Sequence, residues 1–142
     1  MNLSKNVKIT KVAVAAVSAG TAVNGSAVDM QGFDGVLFMT TIATANAGNF
    51  LKVQQDSDVA LGTAADLADS AVVATANAEV VFVDCYRPAE RYVRPVVIRA
   101  GANTATGDIY AIQYEGRVKP TDNDITDTIV GTLIVSAAEG NA

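Results

Sequence analysis

Short apolar runs separated by glycine, asparagine and polar clusters recur along this chain of 142 residues. Valine, isoleucine and threonine are frequent in the runs, and their β-branched side chains suit a strand better than a helix, although alanine is also abundant. The pattern predicts strands over residues 7–17, 26–31, 35–43, 50–55, 71–75, 79–86, 91–99, 107–115 and 128–136. Many short strands with no helical segment between them indicate an all-β antiparallel β-sandwich, either jelly-roll-like or immunoglobulin-like.

Turn signals separate several of these strands. Asn24-Gly25 predicts a hairpin turn because both residues tolerate positive φ. Residues 32–35, which read GFDG, predict a tight turn into the following strand. The pentapeptide ATANA occurs at 43–47 and again at 74–78, each time ahead of an apolar run. We interpret it as the same kind of loop used at two positions.

Residues 55–70 form the longest polar segment, with aspartates at positions 56, 58, 66 and 69. We expect a loop with one short helical turn over 63–69, capped by Thr63. The aspartates lack the spacing of an EF-hand loop. We therefore interpret them as solvated loop carboxylates rather than as a calcium site.

The core that these strands can build consists of small side chains. Half of the residues are apolar, but only 6% are aromatic and none is tryptophan. Burial contributes about 25 cal/mol per Å² of apolar area, and alanine has little area to bury. We therefore expect a single domain over 1–142 with a thin core, supplemented by self-association or by a partner surface.

Charge and cysteine content exclude several classes of function. The formal charge is −5 and the isoelectric point about 4.5, which opposes general nucleic-acid binding. No apolar run reaches the length of about 18 residues needed to cross a membrane, and lysines interrupt the N-terminal apolar stretch, so we expect neither a membrane segment nor a cleaved signal. With no histidine and only Cys85, the chain has no Cys/His metal site, and we expect Cys85 to be an inert packed thiol.

No motif for catalysis is present. The chain lacks a Walker A sequence, a Gly-x-Ser-x-Gly nucleophile elbow and a Cys-x-x-Cys pair. The missing histidines also remove the commonest general base at neutral pH. We therefore expect neither an enzyme nor a bound cofactor.

The segment RYVRPVVIRAG, residues 91–101, is unusual because it places three arginines and a proline in a strand of an acidic chain. Alternation puts Tyr92, Arg94, Val96 and Ile98 on one face and Arg91, Val93, Pro95, Val97 and Arg99 on the other. Because proline cannot donate to a sheet ladder, Pro95 predicts an edge strand, a bulge or an outward position.

Two interpretations of these arginines remain open. Either they protect an edge strand and pair with loop aspartates, or they make bidentate contacts with carboxylates of another protein. The candidate partner-binding residues are Arg87, Arg91, Arg94 and Arg99, together with Lys5, Lys8 and Lys11 near the N-terminus.

Tyr110 and Tyr114 flank Ile112 on one face of the strand over 107–115. We interpret this face as turned into the sandwich, where large side chains are scarce, rather than as a stacking platform for sugars or bases. Both chain ends are predicted to be extended arms, over about 1–11 and 122–142. The C-terminal sequence TIVGTLIV is prone to β-pairing, and we expect it to pair within the sandwich or across a subunit boundary.

Residues 31–120 resemble small virion proteins of tailed bacteriophages, the capsid decoration or cement proteins. The resemblance lies in GFDGVLFMTTI, FLKVQQDSD, an alanine- and aspartate-rich insert, ERYVRPVVIRAG and DIYAIQYEGRVKP. It implies a protein made in the host cytoplasm that binds the major capsid protein on the capsid exterior, as a dimer or trimer, and bridges capsomers without contacting nucleic acid or membrane. Two alternatives stay open: another phage structural component, such as a tail-tube, neck or head–tail adaptor protein, or a carbohydrate-binding sandwich if the tyrosines are exposed.

Overall fold

The computed structural model describes residues 1–121, 123, 128–135 and 139–140. A 3₁₀ turn at Leu3–Lys5 precedes the strands β1 (Lys8–Ala13), β2 (Ala16–Ala19), β3 (Val23–Asn24), β4 (Val28–Asp29), β5 (Gly35–Ile42), β6 (Asn49–Asp56), β7 (Ala65–Asp66), β8 (Val72–Val73), β9 (Glu79–Tyr86), β10 (Tyr92–Arg99), β11 (Thr104–Thr106) and β12 (Ile109–Tyr114). The described part of the chain holds no helix long and apolar enough to span a membrane.

These strands form two antiparallel sheets. The first has the order β1-β12-β5-β11-β2, with β9 paired to β5, and the second has the order β3-β10-β6-β7, with β4 on β10 and β8 on β6. The sheets curl into a half-barrel, which confirms the predicted all-β antiparallel sandwich. The predicted bounds of β5, β9 and β10 differ from the observed ones by at most one residue.

The inner faces of the two sheets enclose one apolar core. Its largest fully buried apolar side chains are Phe38, Ile42, Leu51, Ile109, Val36, Val53, Val93 and Val97. Cys85 lies in the same core, as predicted, and burial raises the pKa of its thiol. The thiol is therefore protonated at neutral pH and packs as a small apolar group.

Pro95 lies fully buried in a central strand of regular register, contrary to the predicted edge strand, bulge or outward position. β10 pairs with β6 along its whole length and also with β3 and β4. Because β4 pairs with residues 92–93 and β3 with residues 96–97, Pro95 faces the gap between these two short strands. The missing N–H of proline therefore interrupts no ladder.

Gly25 lies in this gap. Glycine is needed here because the Pro95 ring leaves no space for a side chain, and not because a hairpin turn requires it. The Gly25 N–H donates to the Pro95 carbonyl at 2.8 Å, and a Cβ at this position would lie 2.6 Å from Pro95 Cγ. The predicted Asn24-Gly25 hairpin turn is wrong, since Asn24 belongs to β3 and neither residue has positive φ. By contrast, Gly32 has a φ of 88° in the turn before β5, as predicted.

The two ATANA segments are both loops, as predicted, and they contact each other. The Ala78 N–H donates to the Ala43 carbonyl at 3.1 Å, and the Ala45 N–H donates to Asn77 Oδ1 at 2.8 Å. The repeated sequence thus supplies two neighbouring connections at one end of the first sheet.

Asp56 organises the polar segment, and the predicted helical turn is wrong. The Asp56 carboxylate accepts hydrogen bonds from the Asp58 N–H at 3.0 Å and from the N–H and hydroxyl of Thr63 at 2.9 and 3.1 Å. Thr63 therefore donates into the loop instead of capping a helix, and the segment continues into β7. Asp66 on β7 accepts from Lys52 and Gln54 at 2.6 and 2.7 Å.

We expect Asp56 to make the stability of the protein depend on pH. Hydrogen bonds, the one from the Asp58 N–H first, hold the pKa of Asp56 below its usual value. A carboxylate whose pKa is lower in the folded state stabilises the fold above its unfolded pKa of about 4, and this contribution disappears as the pH falls through the folded value. Urea unfolding between about pH 7 and pH 3 should show stability falling below about pH 4.

The Asp56→Asn variant is the matched comparison for this titration. It keeps one acceptor oxygen and removes the ionisable group, so its stability should fall less steeply in acid than that of the unchanged chain. Equal slopes for the two proteins would show that Asp56 does not contribute.

The two ends of the chain meet at the outer edge of β1. The N-terminal segment differs from the predicted arm because β1 begins at Lys8, so only residues 1–7 precede the sheet. Asn123 Oδ1 accepts from the Ile9 N–H at 2.9 Å, and its Nδ2 donates to the carbonyls of Ser4 and Val7. Side chains from the C-terminal segment therefore protect the edge of the sheet.

The C-terminal segment forms no continuous strand in the part that the structure describes. Within 128–135, the described part of the predicted strand over 128–136, only Val130 takes part in a bridge. Within the predicted arm over 122–142, residues 122, 124–127, 136–138 and 141–142 lie outside the described residues.

Candidate interaction surface

The first sheet turns an apolar face to solvent. Alternation along its strands sends residues such as Val36, Phe38 and Ala111 into the core and their neighbours outward. The outward side chains are Ile9 and Lys11 of β1, Tyr110, Ile112 and Tyr114 of β12, Leu37 and Met39 of β5, and Val80, Phe82, Asp84 and Tyr86 of β9. We call this set the outer face.

Large apolar side chains of the outer face are strongly exposed. Val80 is 54% exposed, Phe82 56%, Tyr86 53% and Tyr110 36%. Single exposed apolar residues are ordinary, but a contiguous apolar patch on a water-soluble domain marks a surface that another molecule covers. The second sheet differs, since its outward residues include Arg94, Gln54, Lys52 and Asp66.

One end of the outer face is organised around Gly35. The rings of Tyr86 and Tyr114 stack with centroids 6.4 Å apart, on the strands that flank Gly35. A Cβ on Gly35 would overlap the Tyr114 ring, so glycine is required for this stack. The Tyr114 hydroxyl donates to Asp84 Oδ1 at 2.6 Å, and burial, reinforced by Asp84, raises the pKa of Tyr114.

Arg87 borders the outer face at this end. Its guanidinium lies 5.1 Å from the centroid of the Tyr86 ring, and its Nη2 lies 3.7 Å from Asp34 Oδ2. At the other side, Lys11 Nζ lies 3.6 Å from Asp108. An aromatic and aliphatic centre with a charged rim is the usual composition of a protein–protein interface.

Arg99 is not available to a partner, contrary to its predicted role. It is buried, and its guanidinium donates to the carbonyls of Thr21, Val17 and Thr104 at 2.6, 2.8 and 2.8 Å. Arg99 therefore holds three backbone segments together inside the fold. Its position on the same face as Val97 was predicted, but alternation did not distinguish the buried side from the exposed one.

The other predicted arginines have partners within the chain. Arg91 makes a bidentate pair with Asp29, at 2.9 and 2.7 Å, which lowers the pKa of that carboxylate and raises the pKa of Arg91. Arg94 Nε donates to Gln54 Oε1 at 2.9 Å. These contacts favour the interpretation in which the arginines pair internally, except that the Asp29 carboxylate belongs to strand β4 rather than to a loop.

The three predicted lysines lie in the 3₁₀ turn and in β1, at the edge of the first sheet. Lys5 ends the 3₁₀ turn, and its carbonyl accepts from the Thr121 N–H at 2.9 Å. Lys8 is exposed on β1, whereas Lys11 belongs to the rim of the outer face. Of the seven predicted residues, Arg87 and Lys11 therefore border the apolar surface.

The predicted inward orientation of Tyr110 and Tyr114 is wrong. Ile109, Ala111 and Gln113 are the inward residues of β12, and the tyrosine side of the strand belongs to the outer face. The predicted strand over 79–86 contains Val80, Phe82 and Tyr86, but the sequence pattern does not predict that they are exposed. The alternation of EVVFVDCY was visible, yet both of its faces are apolar, so the sequence did not indicate which one turns outward.

A cleft of about 710 Å³ lies at the end of the sandwich next to Arg87, and residues 30–34, 87–91 and 117 line it. Its arginines are already close to carboxylates, since Arg87 and Arg117 approach Asp34 and Arg91 binds Asp29. Among the described residues, no three His, Cys, Asp or Glu side chains stand together in a way that would hold a metal ion.

Comparison with known proteins finds structural similarity at low sequence identity. No protein-family model matches the chain, and no curated protein matches it. The crystal structure of the SPBc2 prophage-derived protein YomS is similar with a TM-score of 0.44 and 12% sequence identity, over 76% of this chain and 92% of that chain.

Proposed function

We propose that this protein is a structural virion component of a tailed phage that binds the outer surface of the capsid and stabilises the shell by bridging major capsid protein subunits. The observation that carries the proposal is the exposed apolar surface, on the outer face and on the C-terminal run over 128–135, which is suited to docking against other subunits of the particle. The segments that resemble capsid decoration proteins include β5, most of β6, β10 and β12, which form much of both sheets.

The C-terminal run over 128–135 is the second docking element in this proposal. Val130, Ile134 and Val135 of this β-prone sequence are 83%, 69% and 72% exposed. A β-prone run of this kind can add a strand or an apolar edge to a neighbouring subunit. Weak contacts repeated over a symmetric shell add up through multivalency, so each copy needs only modest affinity.

The double variant Val130→Asp, Ile134→Asp tests this proposal. Both side chains are exposed in the isolated chain, so the fold should be unchanged, whereas two carboxylates would be buried against the shell. In co-sedimentation with shells assembled from the major capsid protein of the same phage, we expect at least about tenfold weaker binding. Shells saturated with the unchanged protein should also resist heat better than bare shells.

The control is Val59→Asp, which places a carboxylate at an exposed valine of the polar loop. It should bind shells as the unchanged protein does. If the unchanged protein does not co-sediment, capsid binding is refuted. Copy number in the native particle then separates the related alternatives, because a cement protein is present in hundreds of copies, whereas a neck or adaptor protein forms a single ring.

A carbohydrate-binding function is the second candidate, because Tyr110 is exposed. Its hydroxyl donates to Asp108 at 3.3 Å, so an aromatic face and a carboxylate lie side by side. Binding on a glycan array that is lost in Tyr110→Ala would favour this function over shell binding.

A further inference from the structure

We propose that a second copy of this chain covers the outer face, packed face to face about a twofold axis parallel to the strands. This inference rests on the proposed function in one respect, since both treat the outer face as a docking surface. It assigns that face to the second copy, and the C-terminal run over 128–135 then makes the contact with the shell.

The strand register places the outer-face residues in rows across the strands, which follow the curl of the sheet. The first row across β1, β12, β5 and β9 is Lys11, Tyr110, Met39 and Phe82, and the next is Ile9, Ile112, Leu37 and Asp84. A twofold axis parallel to the strands, placed between β12 and β5, reverses the order of the strands and keeps every residue at its own level. Each row of one copy therefore lies over the same row of the second copy.

The centre of this arrangement is apolar and self-complementary. β12 lies over β5 of the second copy, so Tyr110 contacts Met39 of the second copy and Ile112 contacts its Leu37, and symmetry repeats both contacts. A thioether against an aromatic ring is a favourable pair. Inward-facing side chains of two packed sheets interdigitate in the same way inside a sandwich.

The edges of the face carry opposite charges on opposite strands. Lys11 lies on β1 and Asp84 lies on β9, which are the outermost strands of the rows. In the proposed arrangement β1 covers β9 of the second copy. The Lys11 ammonium then lies over the ring of Phe82 and beside Asp84 of the second copy, and both contacts are attractive.

The alternative twofold axis in the plane of the face, perpendicular to the strands, is disfavoured by the same charges. It would place β1 over β1 and β9 over β9, so that the two Lys11 side chains share one edge and the two Asp84 side chains share the other. Like charges at an interface oppose association. Charge therefore selects the axis parallel to the strands and makes the surface complementary to itself.

Charge reversal gives the test, with sedimentation velocity over a concentration series as the measurement. The unchanged chain should form a dimer. Lys11→Glu alone and Asp84→Lys alone should each weaken the dimer at least about tenfold, because like charges then meet at both symmetry-related positions. An equimolar mixture of the two variants should recover dimer, because opposite charges then face each other at both positions of the heterodimer.

Two further variants keep the test independent of folding effects, since Lys11 and Asp84 also contact Asp108 and Tyr114 within the chain. Phe82→Lys removes apolar surface and faces Lys11 of the second copy, so it should also weaken the dimer at least about tenfold. Val59→Lys adds the same charge in the polar loop and should leave the dimer unchanged. Thermal unfolding of each variant checks that it is folded.

Three results would overturn the inference: a monomeric unchanged chain, a dimer insensitive to Phe82→Lys, or no recovery of dimer in the mixture. Shell co-sedimentation is scored separately. A monomer that binds shells refutes the twofold dimer and supports the proposed function. A dimer that does not bind shells supports the twofold dimer and refutes the proposed function.

Discussion

Replacing Phe38 by alanine is expected to lower the free energy of unfolding by about 3–5 kcal/mol. Phe38 is fully buried in the centre of β5, between the two sheets. Large side chains are scarce in this core, and valine and alanine neighbours have little reach to close the cavity that the substitution leaves. Equilibrium unfolding in urea, with the variant and the unchanged chain compared at one pH, measures the loss.

Phe82→Ala is the matched control, because it removes the same side chain from the adjacent strand β9. Phe82 is 56% exposed on the outer face, so the loss in stability should stay below about 1 kcal/mol. Both variants should be measured at concentrations where the chain is monomeric, which separates folding from association. Similar losses at the two positions would contradict the assignment of inner and outer faces.

Arg99→Met is expected to lower the free energy of unfolding by about 3 kcal/mol. Methionine fills similar space but removes the donors to the carbonyls of Thr21, Val17 and Thr104. Hydrogen bonds to a charged group contribute about 1.5–3 kcal/mol each and do not add fully. Removing a buried charge regains part of its desolvation cost, and the unpaired carbonyls still make the balance unfavourable.

The control for this prediction is Arg94→Met on the same strand. Arg94 is half-buried and has one hydrogen bond to the side chain of Gln54, so its replacement should cost less than about 0.5 kcal/mol. Urea unfolding of the two variants gives the comparison. Equal stability of Arg99→Met and the unchanged chain would show that the guanidinium is dispensable to the fold.

Most strands were predictable because their signals are local. The β-branched content and alternation of VLFMTTI, EVVFVDCY and YVRPVVIR define β5, β9 and β10 without reference to the rest of the chain. Local chemistry also indicated the turn at Gly32 and both ATANA loops. The predicted helical turn at Thr63 is wrong because the N–H and hydroxyl of Thr63 both donate to Asp56, seven positions earlier, and hold the segment in a loop.

The candidate site was much less predictable. A cluster of arginines is conspicuous in an acidic chain, yet Arg91 and Arg99 serve the fold, and the apolar docking surface comes from β5, β9 and β12. Each of these strands carries apolar residues on both faces, so hydrophobicity does not choose the inward one. Pairing to the neighbouring strands makes that choice, since a shift of one residue exchanges the faces.

The sequence alone determined that the protein is an antiparallel β-sandwich with small core side chains, because strand propensity and turn chemistry act over a few neighbouring residues. Only the tertiary structure decided that Arg99 is buried, that Pro95 occupies a central strand opposite the gap beside Gly25, and that Tyr110, Phe82 and Tyr86 share one exposed face. These facts depend on the register between strands that are distant in sequence, and register is fixed by the packing of the whole core rather than by any one segment.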